Sequence, residues 1–352
     1  MVWVTNPIEK ESLDTYYKEM SKYEAAKYVG KSDSSKLKMF LRQKKFVDEY
    51  VKDYDSILEI GAATGENLSL YKDDGKKVLG IEPSGNNKRY AAEEYGIEMF
   101  DMTFEEYYEA VGEQEKYDLV FFSHVLEHIV EFEEFIKRAV ALSNKYMFVE
   151  VPFIESMGER MEPYGLFTDE HVNYFSISSL EFLFHKNNCS LVKYKIERNE
   201  GGESPGYPTL VSLWIKNESE MLENRNIIYT AGDIIEKYMN NSAIEFKKIE
   251  TIIDTISSDE RLAIWGTGAH TSRLLAMTNL ASKNIIKFYD SDIKKKDKTM
   301  LGKKIQPFDV ADVQDGTIDT ILISTYSSEK TIANYIDNLN VAKKFKVIKL
   351  YS

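Results

Sequence analysis

The chain has 352 residues, 43% of them hydrophobic and 29% charged, with 7 Pro and 18 Gly. That size and mix predict two folded domains and exclude a disordered, collagen-like or disulfide-stapled miniature protein. The single cysteine, Cys189, allows neither an intrachain disulfide nor a cysteine-built zinc site, which fits a reducing cytosol. A formal charge of -13 argues against nucleic acid as a partner, because neutralising phosphates takes a basic surface. Met1 to Lys10 has neither the basic flank nor the apolar run of a signal peptide. No stretch approaches the roughly 18 apolar residues of a membrane span, so the expected location is cytoplasmic.

Residues 1–50 are rich in Tyr, Lys and Glu, and Leu37, Phe40, Leu41, Phe46 and Tyr50 fall at helical spacing; a helical N-terminal cap is predicted. From Ser56 the period changes. Ile57 to Ile60 reads as a strand, a glycine turn follows, then a helix through Leu68 and Tyr71 and a second strand, Lys77 to Ile81. Further strands are expected at Ile97 to Phe100, Tyr117 to Phe122 and Tyr146 to Val151. Alternating strands and helices give parallel strands with crossover helices, hence an α/β doubly wound, Rossmann-like domain over 51–215. Within it, residues 152–215 carry four of the seven prolines and read as an irregular elaboration closing over the sheet.

Residues 216–258 place Ile235, Tyr238, Met239, Phe246, Ile249, Ile252, Ile253 and Ile256 at spacings of three and four, which predicts a helical linker. A second βαβ pattern then opens: a strand at Arg261 to Trp265, the turn Gly266-Thr267-Gly268, a helix over Ala269 to Met277 and a strand over Ile285 to Tyr289. Strands at Thr320 to Ser324 and Phe345 to Leu350 complete a smaller Rossmann-like α/β domain over 259–352.

The turn Gly61-Ala62-Ala63-Thr64-Gly65-Glu66 sits where a strand hands over to a helix, and Glu82 closes the next strand 21 positions after Gly61. An acid there can accept hydrogen bonds from both hydroxyls of an adenosine ribose. A dinucleotide fingerprint needs two further glycines where Ala63 and Glu66 stand, and Glu66 would repel a pyrophosphate at the helix N-terminus. An adenosyl ligand without phosphates avoids that repulsion.

On these residues the chain resembles class I SAM-dependent methyltransferases. Glu59 to Gly65 matches their first motif, Glu82 their ribose acid, and Tyr117 to His128 their fourth-strand motif. The resemblance implies S-adenosylmethionine as cofactor. Glu59, Gly61, Ala62 and Gly65 would lie at the methionine end, Asp101 and Met102 at the adenine, and Ser123 and His124 along the methyl channel. His124 and His128, four apart on an expected helix, invite a metal reading. A catalytic metal needs a third ligand, and Glu127 between them is expected to point elsewhere, so no metal is expected.

Methyl transfer requires an acceptor aligned with the S–CH3 bond and, for a hydroxyl or an acidic C–H, a base. The segment Thr168-Asp169-Glu170-His171-Val172-Asn173-Tyr174-Phe175-Ser176, with Gly201-Gly202-Glu203 after it, resembles the sugar C-methyltransferases that act on nucleotide-linked keto sugars. By that resemblance His171 abstracts the proton beside the ketone, Glu170 orients it, and Glu203 lies at the sugar. The same His-x-x-x-Phe-Ser pattern also occurs among oxygen-methylating relatives, so carbon against oxygen stays open, as does a non-catalytic SAM or nucleotide-sugar binding module. The second domain resembles the C-terminal domain of the same family, and backbone N–H groups at Gly266 and Gly268 would hold a diphosphate; His270 reads as solvent-facing. The family's cysteine-rich N-terminal zinc module has no counterpart here. In its place stands the helical cap, from which Tyr23, Tyr28 and Ser32 are candidates to reach the acceptor. The expected partner is a small-molecule or nucleotide-linked sugar in surface-polysaccharide or secondary-metabolite synthesis.

Overall fold

The computed structural model describes residues 1–4, 7–20, 34–156, 162–168, 170–201, 204–217, 231–339 and 345–351. They fall into two compact units, one within Met1–Met157, Phe167–Glu200 and Tyr207–Ile235, the other within Gly158–Leu166, Gly201–Gly206 and Glu236–Ser352.

In the first unit, strand β1 (Val2–Trp3) is followed by helices α1 (Lys10–Thr15) and α2 (Ser34–Tyr50). Then come β2 (Ser56–Ile60), α3 (Glu66–Asp73), β3 (Lys77–Ile81), α4 (Gly85–Tyr95), β4 (Met99–Phe100), α5 (Phe104–Val111), β5 (Tyr117–Ser123), α6 (Phe132–Leu142) and β6 (Ser143–Pro152). The unit continues with β7 (Asn173–Tyr174), α7 (Ile177–Lys186), β8 (Cys189–Gly201) and β9 (Ser204–Lys216).

Among the described residues the main sheet runs β4-β3-β2-β5-β6-β9-β8. β2 pairs in parallel with both β3 and β5, and β6 pairs antiparallel with β9. Ile57, Leu58 and Ile60 are buried on both faces of β2, as a central parallel strand requires. The chain winds one way from β2 to β4 and the other way from β5, so the gap at the C-terminal ends of β2 and β5 is the topological switch point where such sheets take their ligands.

Two expectations change here. Residues 152–215 are not irregular throughout, since two 13-residue strands, β8 and β9, extend the sheet. Trp214 stacks on Phe184 at 4.4 Å, and this buried pair explains why the segment settles against the core. The N-terminal region is not wholly helical either, since β1 pairs antiparallel with β7 and Val4 N–H donates to the Val172 carbonyl at 2.9 Å.

The second unit holds most of α8 (Ala231–Asp254), then β10 (Leu262–Trp265), α9 (Ala269–Met277), β11 (Ile285–Tyr289), β12 (Thr299–Met300), β13 (Lys303–Gln306), α10 (Ala311–Gln314), β14 (Thr320–Ile323), α11 (Glu329–Asp337) and β15 (Lys346–Ile348). Its sheet runs β12-β13-β11-β10-β14-β15, again with β10 flanked in parallel by strands on both sides. The helical pattern expected over 216–258 is met from Ala231 onward by a single helix, and its Phe246, Ile249 and Ile253 pack into this unit's core. No helix among the described residues is long and apolar enough to cross a membrane.

Candidate active site

A cavity of about 400 Å³ opens at the switch point, lined by the turn after β2, the ends of β3 and β5, and residues of α1 and α2. Among the described residues its carboxylates, Asp14, Glu59, Glu82, Glu105 and Glu127, outnumber its one lysine, Lys36, which suits a cationic ligand.

The turn after β2 is built on left-handed backbone. Gly61 has φ +74°, and a Cβ there would meet Val125 Cγ2 at 2.5 Å, so only glycine fits between the turn and the end of β5. Ala63 also adopts positive φ (+45°), a conformation disfavoured for alanine by about 1–2 kcal/mol. Its amide is held there by the Glu82 carboxylate, which accepts Ala63 N–H at 3.0 Å, Ser84 N–H at 3.2 Å and the Asn87 amide at 3.3 Å. Burial nevertheless raises the Glu82 carboxyl above its usual range. Gly65 plays a different part from the one expected. It stands off the cavity wall, its left-handed φ begins α3, and a Cβ would press within 2.9 Å of the Ala91 Cβ, so it serves helix packing.

Glu59 lines the cavity from inside β2. One carboxylate oxygen accepts the Asn67 amide at 2.9 Å; the other is buried with no partner. Burial pushes its carboxyl up to about 8, with Glu82 adding to the shift and Asn67 opposing it. A buried acid with an open oxygen is what the ammonium of S-adenosylmethionine would satisfy, and Gly61, Ala62 and Glu82 stand beside it on the cavity wall.

Asp101 and Met102 are not on that wall. Asp101 pairs with Lys88 at 2.5 Å near the surface, and Met102 packs against the core; the next two residues, Thr103 and Phe104, line the cavity instead. The expectation was displaced by two positions because β4 is only two residues long and the chain turns immediately into the Thr103 cap of α5.

At the far wall, β5 ends in Ser123 and His124, both lining the cavity. His124 (φ +54°) lies between two buried acids, its Nδ1 3.1 Å from Glu127 Oε1 and its Nε2 3.8 Å from Glu150 Oε1. Burial opposes its charge, but the two carboxylates outweigh burial and raise the imidazole to about 10. Glu150 also accepts Arg42 at 2.8 Å, Gln43 at 2.7 Å and Thr209 at 2.8 Å; despite burial these partners, with His124, hold it down at about 2.

Glu127 does not point elsewhere, and the reason is backbone geometry. Leu126–His128 is a 3-10 turn following a left-handed residue, not an α-helix with His124 and His128 on one face. Glu127 is buried beneath the cavity, with ligating atoms of Glu127, His128 and His171 all within 4.8 Å of one another. Sequence reasoning missed Glu127 and Glu150 as site residues. The available signal was an acid inside the apolar run Met147-Phe148-Val149-Glu150-Val151, since a buried charge needs partners.

His171 reaches the cavity from the segment before β7. Val172 N–H donates to the Glu127 carbonyl at 2.8 Å, and the Asn173 amide donates to the Ile129 carbonyl at 2.6 Å, which fixes this segment against the 3-10 turn. Burial pushes the His171 imidazole down to about 4, Glu127 being the foremost charge opposing the shift, so it stands neutral. Its Nδ1 is buried with no partner, so Glu170 does not hold that nitrogen. Glu170 contributes its backbone carbonyl, which accepts from His128 Nδ1 at 2.8 Å.

In the second unit Gly266 and Gly268 form a tight turn, and a Cβ at Gly266 would strike the Ser324 carbonyl at 2.5 Å. The amide and hydroxyl of Thr267 both donate to Asp290, so this turn carries an acid where a diphosphate needs donors. His270 is buried rather than solvent-facing, between Ser324 Oγ at 3.2 Å and Tyr351 OH at 2.5 Å. Tyr23, Tyr28, Ser32 and Glu203 lie outside the described residues.

Comparison with known proteins agrees with this geometry. Residues 27–194 match the family described as Methyltransferase domain, and residues 258–348 match one described as C2185-like, N-terminal. The chain is 25% identical over 265 residues to the C-methyltransferase NovU of Streptomyces niveus, an alignment covering 72% of this chain and 62% of that protein, so the chain spans less than two thirds of the relative's length. Among solved structures, a magnesium protoporphyrin IX methyltransferase from Synechocystis is similar at 12% identity, covering 59% of this chain and all but 1% of the other, with a TM-score of 0.45. A SAM-dependent methyltransferase from Archaeoglobus fulgidus is similar at 16% identity over 59% of this chain and 100% of the other, with a TM-score of 0.41.

The strand order, the glycine turn tied to Glu82 and the family match together define a class I SAM-dependent methyltransferase domain, with S-adenosylmethionine as its cofactor. Within that class the chain is similar to a C-methyltransferase.

Proposed function

We propose that the chain methylates a sugar, nucleotide-linked, at the carbon beside a ketone, in surface-polysaccharide or secondary-metabolite synthesis. The single observation carrying the acceptor side is a neutral, half-buried histidine, His171, whose Nδ1 is buried without a partner among the described residues, on the wall of the cavity that Glu59, Gly61 and Glu82 also line. S-adenosylmethionine, when bound, supplies an electrophilic methyl group on a sulfonium. Glu59 balances positive charge at the methionine end, Glu82 receives the ribose hydroxyls, and the left-handed turn at Gly61 lets backbone approach. His171 takes the proton from the acceptor carbon, and Glu127 beside it stabilises the imidazolium that forms. The relative's description as a C-methyltransferase supports carbon over oxygen.

The test is incubation with S-adenosylmethionine and a panel of nucleotide sugars, read by mass spectrometry for gain of one methylene unit, with and without solvent deuterium. Carbon methylation predicts exchange of the proton beside the ketone. A methylated product without exchange indicates an oxygen acceptor, and saturable binding with no S-adenosylhomocysteine release from any acceptor indicates a binding module.

A further inference from the structure

Three groups meet on one cavity wall without being fully used by the reading above. Glu127 is 1% exposed; its Oε1 is engaged by His124, and its Oε2 is buried with no partner among the described residues. His171 Nδ1 is likewise buried and without a partner. His128 donates Nδ1–H to the Glu170 carbonyl at 2.8 Å, because a carbonyl only accepts, so Nε2 is the ring nitrogen that this contact leaves for another partner. Tyr17 OH lies 2.9 Å from the same Nδ1, where its oxygen accepts a share of that hydrogen.

We infer that Glu127, His128 and His171 form a binding site for a divalent transition cation of the zinc class. Two imidazoles and one carboxylate are the ligand set such ions take when open positions remain for water or substrate. A carbonyl behind one histidine and an imidazolium behind the carboxylate's other oxygen are the outer partners that orient ligands of this kind. One candidate ligand atom from each of the three residues lies within 4.8 Å of the other two. Two ligands at ~2.1 Å from a tetrahedral ion stand ~3.4 Å apart, so a gap of 4.8 Å closes by about 1.4 Å on binding, within reach of side-chain rotation. A cation here also relieves the unpartnered Glu127 oxygen, whose burial is otherwise uncompensated.

One consequence rests on the base role given to His171 above. A cation bound through Nδ1 takes the lone pair that would otherwise accept the proton, so occupation of the site and proton abstraction by His171 exclude each other.

The test uses the full chain freed of metal with a chelator. Zinc titration by calorimetry is expected to show one equivalent at the site, and cobalt is expected to give the intense visible bands of a low-coordinate nitrogen–oxygen site. Glu127→Gln, His128→Gln and His171→Ala are each expected to weaken zinc binding by at least ~100-fold and to remove the cobalt bands. Unchanged affinity for S-adenosylmethionine in these variants shows that the pocket is still folded. Absence of zinc binding to the unaltered chain, or binding that survives all three substitutions, overturns the site. Activity is read separately: zinc is expected to lower turnover in step with occupancy. Bound zinc with undiminished turnover leaves the site standing and removes His171 as the base.

Discussion

The carboxylate of Glu82, at the end of one strand, accepts the N–H of Ala63, in the turn after its neighbour, at 3.0 Å. The acid that awaits a ribose is thus also the clamp on the turn that awaits the methionine end. Glu82→Ala is expected to weaken S-adenosylmethionine binding by at least tenfold, since two charge-assisted bonds to ribose are each worth roughly 1.5–3 kcal/mol. It is also expected to lower stability by about 1–3 kcal/mol, because three donors lose their acceptor. Calorimetric titration and urea unfolding read the two effects, and an unchanged binding constant removes Glu82 from the site.

Glu59 gives a pH signature. Its carboxyl sits at about 8 against an ordinary 4.5, because burial outweighs the Asn67 hydrogen bond, so the fold favours its neutral form. The stability held by that proton is fully present below pH 4.5 and is lost as pH rises to about 8. Glu59→Gln should therefore be more stable than the parent above pH 8, by on the order of a few kcal/mol, and close to it at pH 4.5. Ligand ammonium favours the ionised acid. Affinity for S-adenosylmethionine should accordingly rise with pH up to about 8, by at most roughly tenfold per unit, with proton release at pH 7. Titration in two buffers of different ionisation enthalpy measures that release, and a pH-independent affinity counts against Glu59 as the ammonium's partner.

Glu150 joins α2 to the sheet through Arg42 and Gln43. Glu150→Ala leaves Arg42 and the His124 imidazolium without their shared anion and should cost about 3–5 kcal/mol. Gln43→Ala, which removes one neutral donor also bonded to Ser123 Oγ, should cost about 1–2 kcal/mol. Denaturant midpoints for the two variants check both the size and the order of these losses.

His171→Ala should lower turnover by roughly 10²–10⁴ while leaving the S-adenosylmethionine binding constant unchanged, as expected for a group acting on the acceptor's proton. Added imidazole should restore part of the rate. A fully active variant assigns His171 to holding the segment before β7 in place.

The α/β alternation, the glycine turn, the acid at the end of the second strand and the second βαβ unit were all legible in the sequence, because each is local. Strand period, turn chemistry and the spacing from Gly61 to Glu82 are set by neighbours within one βαβ unit. The cavity's far wall was not legible. His124 in a left-handed conformation, Glu127 turned inward by a 3-10 turn, Glu150 beneath it and Arg42 reaching in from α2 are contacts between residues up to 108 positions apart. Local pattern gave Glu127 a helical direction away from its neighbours. Tertiary packing reversed that direction, because Val172 N–H pins the Glu127 carbonyl from a distant segment and the buried carboxylate then has to find its charge partner in His124. The sequence by itself thus determined the class of fold and the donor's side of the pocket. The tertiary structure alone decided which acids and histidines meet on the acceptor's side, since desolvated charges are paired by spatial proximity and not by spacing along the chain.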